Sequence, residues 1–394
     1  MALSAAIAGG GLGGLAAATA LALRGWEVTV LERQPALRAS GSGIYIWENG
    51  LKVLGALGAA EAVLAEPFRG LAFEQRDSTN AVIDPGPLPA DKRLVTVPRS
   101  VLLGALRDAA LAAGVTVRTG AEVTGASAHG KLALASGETV RADLVVGADG
   151  VWSMCRRALG LELSHEQTVE GALRTLVPGT QADLGEDGRD RYIENWNGTR
   201  RLLITPISRS EIYLALTCPG SDSAGRQIPV DIASWAASFP HWAHLIGRIG
   251  PEVSWGLYST IRVKSWSAGR AALIGDAAHA QPPNLGQGGG MAMQNGLALA
   301  CHLEGVRDAR DIPAALAAWE AAERELVDHC QKWSCLYGEA TFLPDAVRAR
   351  VVAAAMADPW VQGQVARAAN STPTGTGPET DPPLAPARAE AETA

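Results

Sequence analysis

Glycine occupies five of the six positions from 9 to 14, "GGGLGG", between a short apolar run and a run of alanines and leucines. Few folds accept such a stretch. The segment from Met1 to Leu23 carries no charge, but glycines this dense would weaken a spanning helix and the basic flank of a signal peptide is missing. The spacing fits a turn between strand and helix. Gly9, Gly11 and Gly14 meet the pattern G-x-G-x-x-G, with Leu12 and Gly13 between them. In that pattern the first glycine permits the tight turn, the second lets a pyrophosphate approach the backbone, and the third lets helix and strand pack closely. The N-terminus of the helix then points N–H groups at the phosphates.

The next strand, "EVTVLE", ends at Glu32, with Arg33 following, some twenty residues past the glycines. An acid there accepts hydrogen bonds from an adenosine ribose and repels a 2′-phosphate. Strand, turn, helix, strand and acid together predict an ADP-containing ligand, without separating NAD from FAD.

At 394 residues the chain predicts two interlocked domains. Its net charge of −7 is mixed along the sequence with no basic stripe, which argues against nucleic acid and an anionic membrane surface as partners. The five cysteines are odd in number and form no CxxC, so neither a disulfide framework nor a zinc site is expected. A cytoplasmic setting and no metal follow as expectations.

Two further motifs repeat the logic of a strand running into glycine. "LVVGADG" ends in Gly147-Ala148-Asp149-Gly150 before a helix near Ser153. "AALIGDAAHAQPPNLGQGGG" carries Asp276 at a strand end, then a loop from Pro283 through Gly286 to Gly288 and Gly289. Asp276 suits a polyol hydroxyl, and the loop offers N–H groups to a ring carbonyl. Between 169 and 262 the pattern changes to short strands, "EGALRTLVP", "RYIENWN", "RRLLITPIS", "EIYLALTCP" and "VSWGLYSTIRV", interrupted by a helical stretch broken at Pro240.

The order of these motifs resembles the single-component FAD-dependent aromatic hydroxylases, the p-hydroxybenzoate hydroxylase-like family, over about residues 1–340. The strand segments and "GSGIYIWENGLKVLGALG" are most similar to its 2-methyl-3-hydroxypyridine-5-carboxylate and 5-pyridoxate oxygenase branch. The resemblance implies an α/β fold, α+β overall, with a Rossmann-type FAD-binding domain interleaved with a mainly antiparallel substrate sheet and C-terminal helices. The boundaries expected are 1–70, 98–168 and 262–310 for FAD, 71–97 and 169–261 for substrate, 311–370 for the helices, and a disordered, Pro- and Thr-rich tail over 371–394. Cofactor contacts are implied at the three glycine-motif positions, at Leu12, Gly13, Glu32, Arg33, Gly43, Arg99, Val123, Asp149 and Asp276, and along Pro283–Gly289 (Pro283, Gly286, Gly288, Gly289).

Matched residue by residue, Arg174, Arg201, Tyr213 and Tyr258 fall on the branch's substrate-pocket positions, and Tyr45 is expected to face flavin or substrate. An aromatic carboxylate in a dry pocket suits a bidentate arginine, and tyrosines suit a ring hydroxyl or nitrogen. The implied activity consumes NADH or NADPH as a transient co-substrate together with O₂. It hydroxylates a small aromatic or N-heteroaromatic acid through a flavin hydroperoxide, with ring opening if the pyridine branch holds. A hydroxybenzoate- or hydroxynicotinate-type hydroxylase and a non-catalytic flavin-binding protein are the alternatives. A monomer or homodimer is expected. Gln294-Asn295 stands where most of the family carries an acidic pair, as in the pyridine branch, whereas Gln281-Pro282-Pro283-Asn284 is closer to the wider family.

Overall fold

The computed structural model describes residues 2–37, 41–89 and 92–383. The glycine-rich segment opens a six-stranded sheet ordered 267–268, 271–273, 144–147, 4–8, 27–31, 116–118, parallel except for the first, edge strand. Ser4–Ala8 lies near the centre, pairing with Leu144–Gly147 on one side and Glu27–Leu31 on the other. A strand covered on both faces reads as a continuous apolar run, as "AAIA" does. Helix Leu12–Ala22 is buried along almost its whole length, which explains why it has no polar stripe. It packs against helix Gly288–His302, and Gly296 is what lets the backbones meet: a Cβ there would lie 3.0 Å from the Gly13 carbonyl oxygen.

The second sheet has seven strands, ordered 255–263, 162–178, 211–219, 200–206, 191–197, 72–76, 82–84. It is antiparallel apart from the parallel pairing of Arg191–Asn197 with Ala72–Arg76. Its longest strand, Glu162–Pro178, begins seven residues before the expected boundary at 169, because its polar first half pairs along Trp255–Val263 before a register shift between Gln167 and Gly171. One face is covered by Trp235, Phe239, Trp242 and Leu245, from a helical segment that breaks at Phe239–Pro240 as its sequence predicts. Full burial of a large apolar side chain contributes ~1.5–3 kcal/mol, so this face anchors the sheet and leaves the other to face a cavity. Gly43–Trp47 and Leu94–Pro98 form a separate antiparallel pair, and 123–141 folds as a three-stranded meander.

The tail corrects an expectation. Composition predicts disorder from Ser371, yet residues 371–383 run back over helices Glu48–Ala56, Gly288–His302 and Ile312–Glu339. The Thr374 hydroxyl donates to Glu323 at 2.6 Å. The Arg93 guanidinium binds the Asp381 carboxylate and donates to the Pro382 carbonyl at 2.7 Å. The Thr380 carbonyl fills the place a side chain at Gly55 would need. Polar anchors hold this strap, and a rule that counts apolar area does not register them. Residues 384–394 lie outside the described residues.

Candidate active site

A cavity of about 1120 Å³ separates the glycine turn from the open face of the seven-stranded sheet. That exceeds the ~300–1,000 Å³ usual for a drug-sized ligand, which fits a dinucleotide end beside a second ring. Gly11, Leu12, Gly13 and Gly14 form one wall. The three motif glycines divide their roles as the pattern predicts. A Cβ on Gly9 (φ +105°) would sit 2.4 Å from the Ala148 carbonyl oxygen, and one on Gly14 would sit 2.0 Å from the Gly9 carbonyl oxygen. At Gly11 a Cβ would meet nothing within 4 Å, so the open space above it is a cradle for the pyrophosphate. The Glu32 carboxylate is fixed beside the turn, accepting the Gly10 N–H at 2.8 Å and the Gln34 N–H at 2.9 Å. Glu32, Arg33 and Val123 lie outside the cavity lining; Arg33 is exposed and Val123 belongs to the core.

The opposite wall carries the third motif. Asp276 opens a short helix with its side chain exposed toward the cavity, and among the described residues its carboxylate makes no hydrogen bond. Pro283 follows, then Gly286 in the left-handed region (φ +63°), then Gly288 and Gly289 at the start of the 15-residue helix, whose free N–H groups face inward. Arg99, the first residue of helix Arg99–Ala112, also lines the cavity. His279, just past Asp276, is fully enclosed against Trp266, and burial holds its imidazole below the usual range, so it serves the loop as a neutral ring.

Two implied cofactor positions do something else. Asp149 accepts the Ser153 hydroxyl at 2.5 Å and the Cys155 N–H at 3.0 Å, so it fixes the following helix turn instead of reaching the cavity. Gly43 lines the cavity, but its missing side chain makes room for Ile207 and Tyr213 of the neighbouring sheet, at 2.4 and 2.7 Å from a would-be Cβ.

All five residues expected on the substrate side line this cavity: Tyr45, Arg174, Arg201, Tyr213 and Tyr258. Arg174 lies over the Tyr258 ring at 5.3 Å. Its surface is accessible, yet protein surrounds it, because the space it touches is the cavity itself. Among the described residues no carboxylate is ion-paired with it. Burial pushes the Tyr213 phenol up to about 12, so it is a neutral donor. The Tyr258 hydroxyl shares a 3.3 Å hydrogen bond with Thr217.

Arg201 departs from its expected role. It lies 5.2 Å over the Trp196 ring and donates to Glu194 at 3.1 Å, Glu170 at 3.3 Å and Asn284 at 2.8 Å. Two buried carboxylates already occupy the guanidinium that was expected to meet the substrate acid. Arg200 points to the other face, bidentate on Asp222 at 2.7 and 3.0 Å.

Tyr45 and Trp47 do share one face, as their alternation predicts. Both border Gly286, whose absent Cβ would lie 3.4 Å from Tyr45 Cβ and 3.1 Å from Trp47 Nε1. The indole N–H of Trp47 is buried at the cavity with no partner among the described residues. Tyr45 packs edge-on to Tyr192 at 5.5 Å, and its hydroxyl bonds Thr205. Tyr45→Phe is expected to cost about 1 kcal/mol by removing that buried hydrogen bond, measured as a lowered denaturation midpoint with the flavin still bound. An unchanged midpoint would show that Thr205 finds another partner.

Sequence reasoning missed a polar cluster beside Arg201. Glu194 and Tyr337 line the cavity, Gln75 joins them, and the Tyr337 hydroxyl donates to Glu194 while accepting from Gln75. A signal was available: Tyr192, Glu194 and Trp196 alternate on one strand face, which sets a carboxylate between two buried aromatics.

The open cradle at Gly11, the free Asp276 carboxylate, the inward helix N-terminus and the unpartnered Trp47 N–H all fit a bound flavin dinucleotide. The family model described as "FAD binding domain" matches residues 2–331. The chain belongs to this family. A putative 2-heptyl-3-hydroxy-4(1H)-quinolone synthase of Rhodococcus erythropolis is 41% identical over 371 residues, 94% of this chain and 96% of that protein. A 3-amino-4-hydroxybenzoate 2-monooxygenase of Streptomyces cremeus is 32% identical over 305 residues, 74% of this chain and 76% of that protein. The solved tetrameric form of 2-methyl-3-hydroxypyridine-5-carboxylic acid oxygenase superposes with a TM-score of 0.85 at 34% identity, covering 95% of this chain and 98% of that one. The chain is thus an FAD-dependent monooxygenase of aromatic substrates, with the fold of the hydroxypyridine oxygenases. Among the described residues no helix is long and apolar enough to cross a membrane, and no His, Cys, Asp or Glu cluster is arranged to hold a metal.

Proposed function

We propose that the protein hydroxylates an N-heteroaromatic ring that carries an alkyl chain, at the ring carbon next to the carbonyl of a 2-alkyl-4(1H)-quinolone, consuming NADH or NADPH and O₂. The observation that carries this reading is the apolar part of the cavity lining. Besides the tyrosines it includes Phe73, Leu88, Met356, Pro359, Val365 and Ala366, apolar surface that suits a flexible alkyl chain. Each buried methylene there contributes ~0.8 kcal/mol of affinity. The 41% identity to a putative synthase of a heptyl-substituted hydroxyquinolone agrees with it.

Bound FAD would supply the activated oxygen. The cradle at Gly11, Asp276, Arg99 and the Pro283–Gly289 loop would hold it, the last three around its ribityl and ring end. The protein's own part is to orient the ring and keep water from the reacting centre. Tyr213 and Tyr258 present hydroxyls to the ring's oxygen and nitrogen, and Arg174 stabilises negative charge that develops on the carbonyl oxygen. In this reading the discontinuous segments around 1–70, 98–161 and 262–310 hold the dinucleotide, and 71–97 with 162–261, which includes the whole of strand Glu162–Pro178, hold the ring.

A second reading is the hydroxypyridine carboxylate of the pyridine branch, hydroxylated with or without ring opening. Arg174, a cation with no ion-paired carboxylate among the described residues, favours it. The test is NADH and NADPH oxidation by the FAD-loaded protein with 2-heptyl-4(1H)-quinolone and with 2-methyl-3-hydroxypyridine-5-carboxylate, followed by product mass. Stimulation by the quinolone with one oxygen added is expected. Stimulation by the pyridine acid alone would overturn the first reading in favour of the second.

A further inference from the structure

Beside the ring pocket, Arg201 is, among the described residues, the one cation ion-paired with two buried carboxylates, Glu170 and Glu194, with side-chain exposures of 6%, 4% and 6%. With both acids ionised this group carries one excess negative charge away from water, and Glu170 Oε2 has no hydrogen-bond partner among the described residues. Two like charges sharing one low-dielectric site favour uptake of a proton. The cluster also has a path to the cavity. Gln75 Nε2 donates to the Tyr337 hydroxyl, the Tyr337 hydroxyl donates to Glu194 Oε2, and Arg201 donates to Glu194 Oε1. Both Glu194 oxygens therefore act as acceptors, as in an ionised carboxylate. The Tyr337 oxygen has two lone pairs; Gln75 occupies one and the other is open to a ligand. Tyr337 and Glu194 both line the cavity, and the half-buried tyrosine is the more exposed of the two.

We infer that Tyr337 and Glu194 form the acid–base pair that removes the acidic ring proton of the bound substrate and so makes the ring electron-rich enough to take oxygen. The inference rests on the ring-hydroxylation reading and assigns it a base. The ring N–H or O–H bond breaks and its proton passes to the Tyr337 oxygen, while the original Tyr337 proton passes to Glu194 Oε2. The ring is left as an anion, Tyr337 is unchanged, Glu194 becomes a neutral acid, and no electron leaves either partner. The excess charge of the Arg201 group is cancelled in the same step.

The charged and titratable neighbours of Glu194 are Arg201 on the next strand, Tyr337 on helix Ile312–Glu339, Glu170 on the long strand, Tyr45 across the cavity and Arg348 on helix Asp345–Ala357. Burial pushes the Glu194 carboxyl up, against the pull of Arg201. Activity limited by its ionised form therefore rises as pH rises through that elevated value, and a variant without the carboxyl loses this limb.

The experiment uses the oxidised, FAD-loaded protein without NAD(P)H, so that nothing turns over, and records the absorption of bound 2-heptyl-4(1H)-quinolone, and separately of bound 2-methyl-3-hydroxypyridine-5-carboxylate, against pH. Wild type is expected to bind its ring ligand ionised at a lower pH than the same compound free in water. Glu194→Gln is expected to lose that shift and lower kcat by about 10²-fold or more, with KM within about threefold. Tyr337→Phe keeps the ring and removes the hydroxyl, and is expected to act in the same direction; it stands in if Glu194→Gln does not yield folded, yellow protein. If both variants keep the ligand's ionisation and kcat within twofold of wild type, the acid–base assignment is overturned while the ring-hydroxylation reading stands. If neither compound binds wild type, both fall together.

Discussion

Arg201→Ala is expected to destabilise the protein by about 3–5 kcal/mol, the usual result of deleting one partner of a buried ion pair. The cause is what the deletion leaves behind. Glu170 and Glu194 would face each other without their cation, and the Trp196 ring would lose the guanidinium stacked on it. The sign of the pH response follows. Without the guanidinium the burial that already pushes the Glu194 carboxyl up acts with less opposition, so the variant is most stable below the unfolded carboxyl range and weakens as pH rises through that raised value. Urea denaturation at several pH values measures this directly. Adding Glu194→Gln to the alanine variant should recover part of the loss, because the two changes touch one network and do not add. A variant of unchanged midpoint, altered only in KM for a carboxylated ring, would restore Arg201 to the role its sequence position suggests.

That contrast marks where the sequence was legible. The nucleotide half could be read because its geometry is local: Gly9, Gly11, Gly14 and Glu32 lie within one strand-turn-helix-strand unit whose spacing is fixed by backbone rules. The strands from Arg191 to Pro219 were legible for the same reason, since alternation and turns are local signals. Arg201 was not. Its partners lie 31, 7 and 83 residues away, and nothing in "RRLLITP" tells that two carboxylates from other strands converge on it. Asp149 failed differently. Four residues before Ser153 and six before Cys155, it sits where an acid can fix a helix turn or reach a ligand, and only its hydrogen bonds in the fold separate the two. The strap over 371–383 was hidden because its anchors, Arg93 and Glu323, belong to other parts of the chain.

Gly11→Val is expected to give a folded, colourless protein. Gly11 precedes helix Leu12–Ala22 with φ −80° and ψ −174°, extended backbone that valine adopts freely, and a Cβ there meets nothing within 4 Å. Valine is a poorer N-cap than glycine, so about 1 kcal/mol of stability is lost and the fold persists. The isopropyl group instead occupies the cradle where a pyrophosphate must approach the backbone. A weakening of FAD binding by about 10²-fold, about 2.7 kcal/mol, is expected, read from flavin fluorescence on titration and from visible absorbance per chain. Gly14→Ala supplies the contrast. Its Cβ would sit 2.0 Å from the Gly9 carbonyl oxygen, so helix and strand must part, and unfolding accompanies loss of the flavin. A yellow Gly11→Val protein with wild-type affinity would place the pyrophosphate away from this turn. The two variants thus separate ligand contact from chain packing, which the spacing G-x-G-x-x-G alone leaves combined.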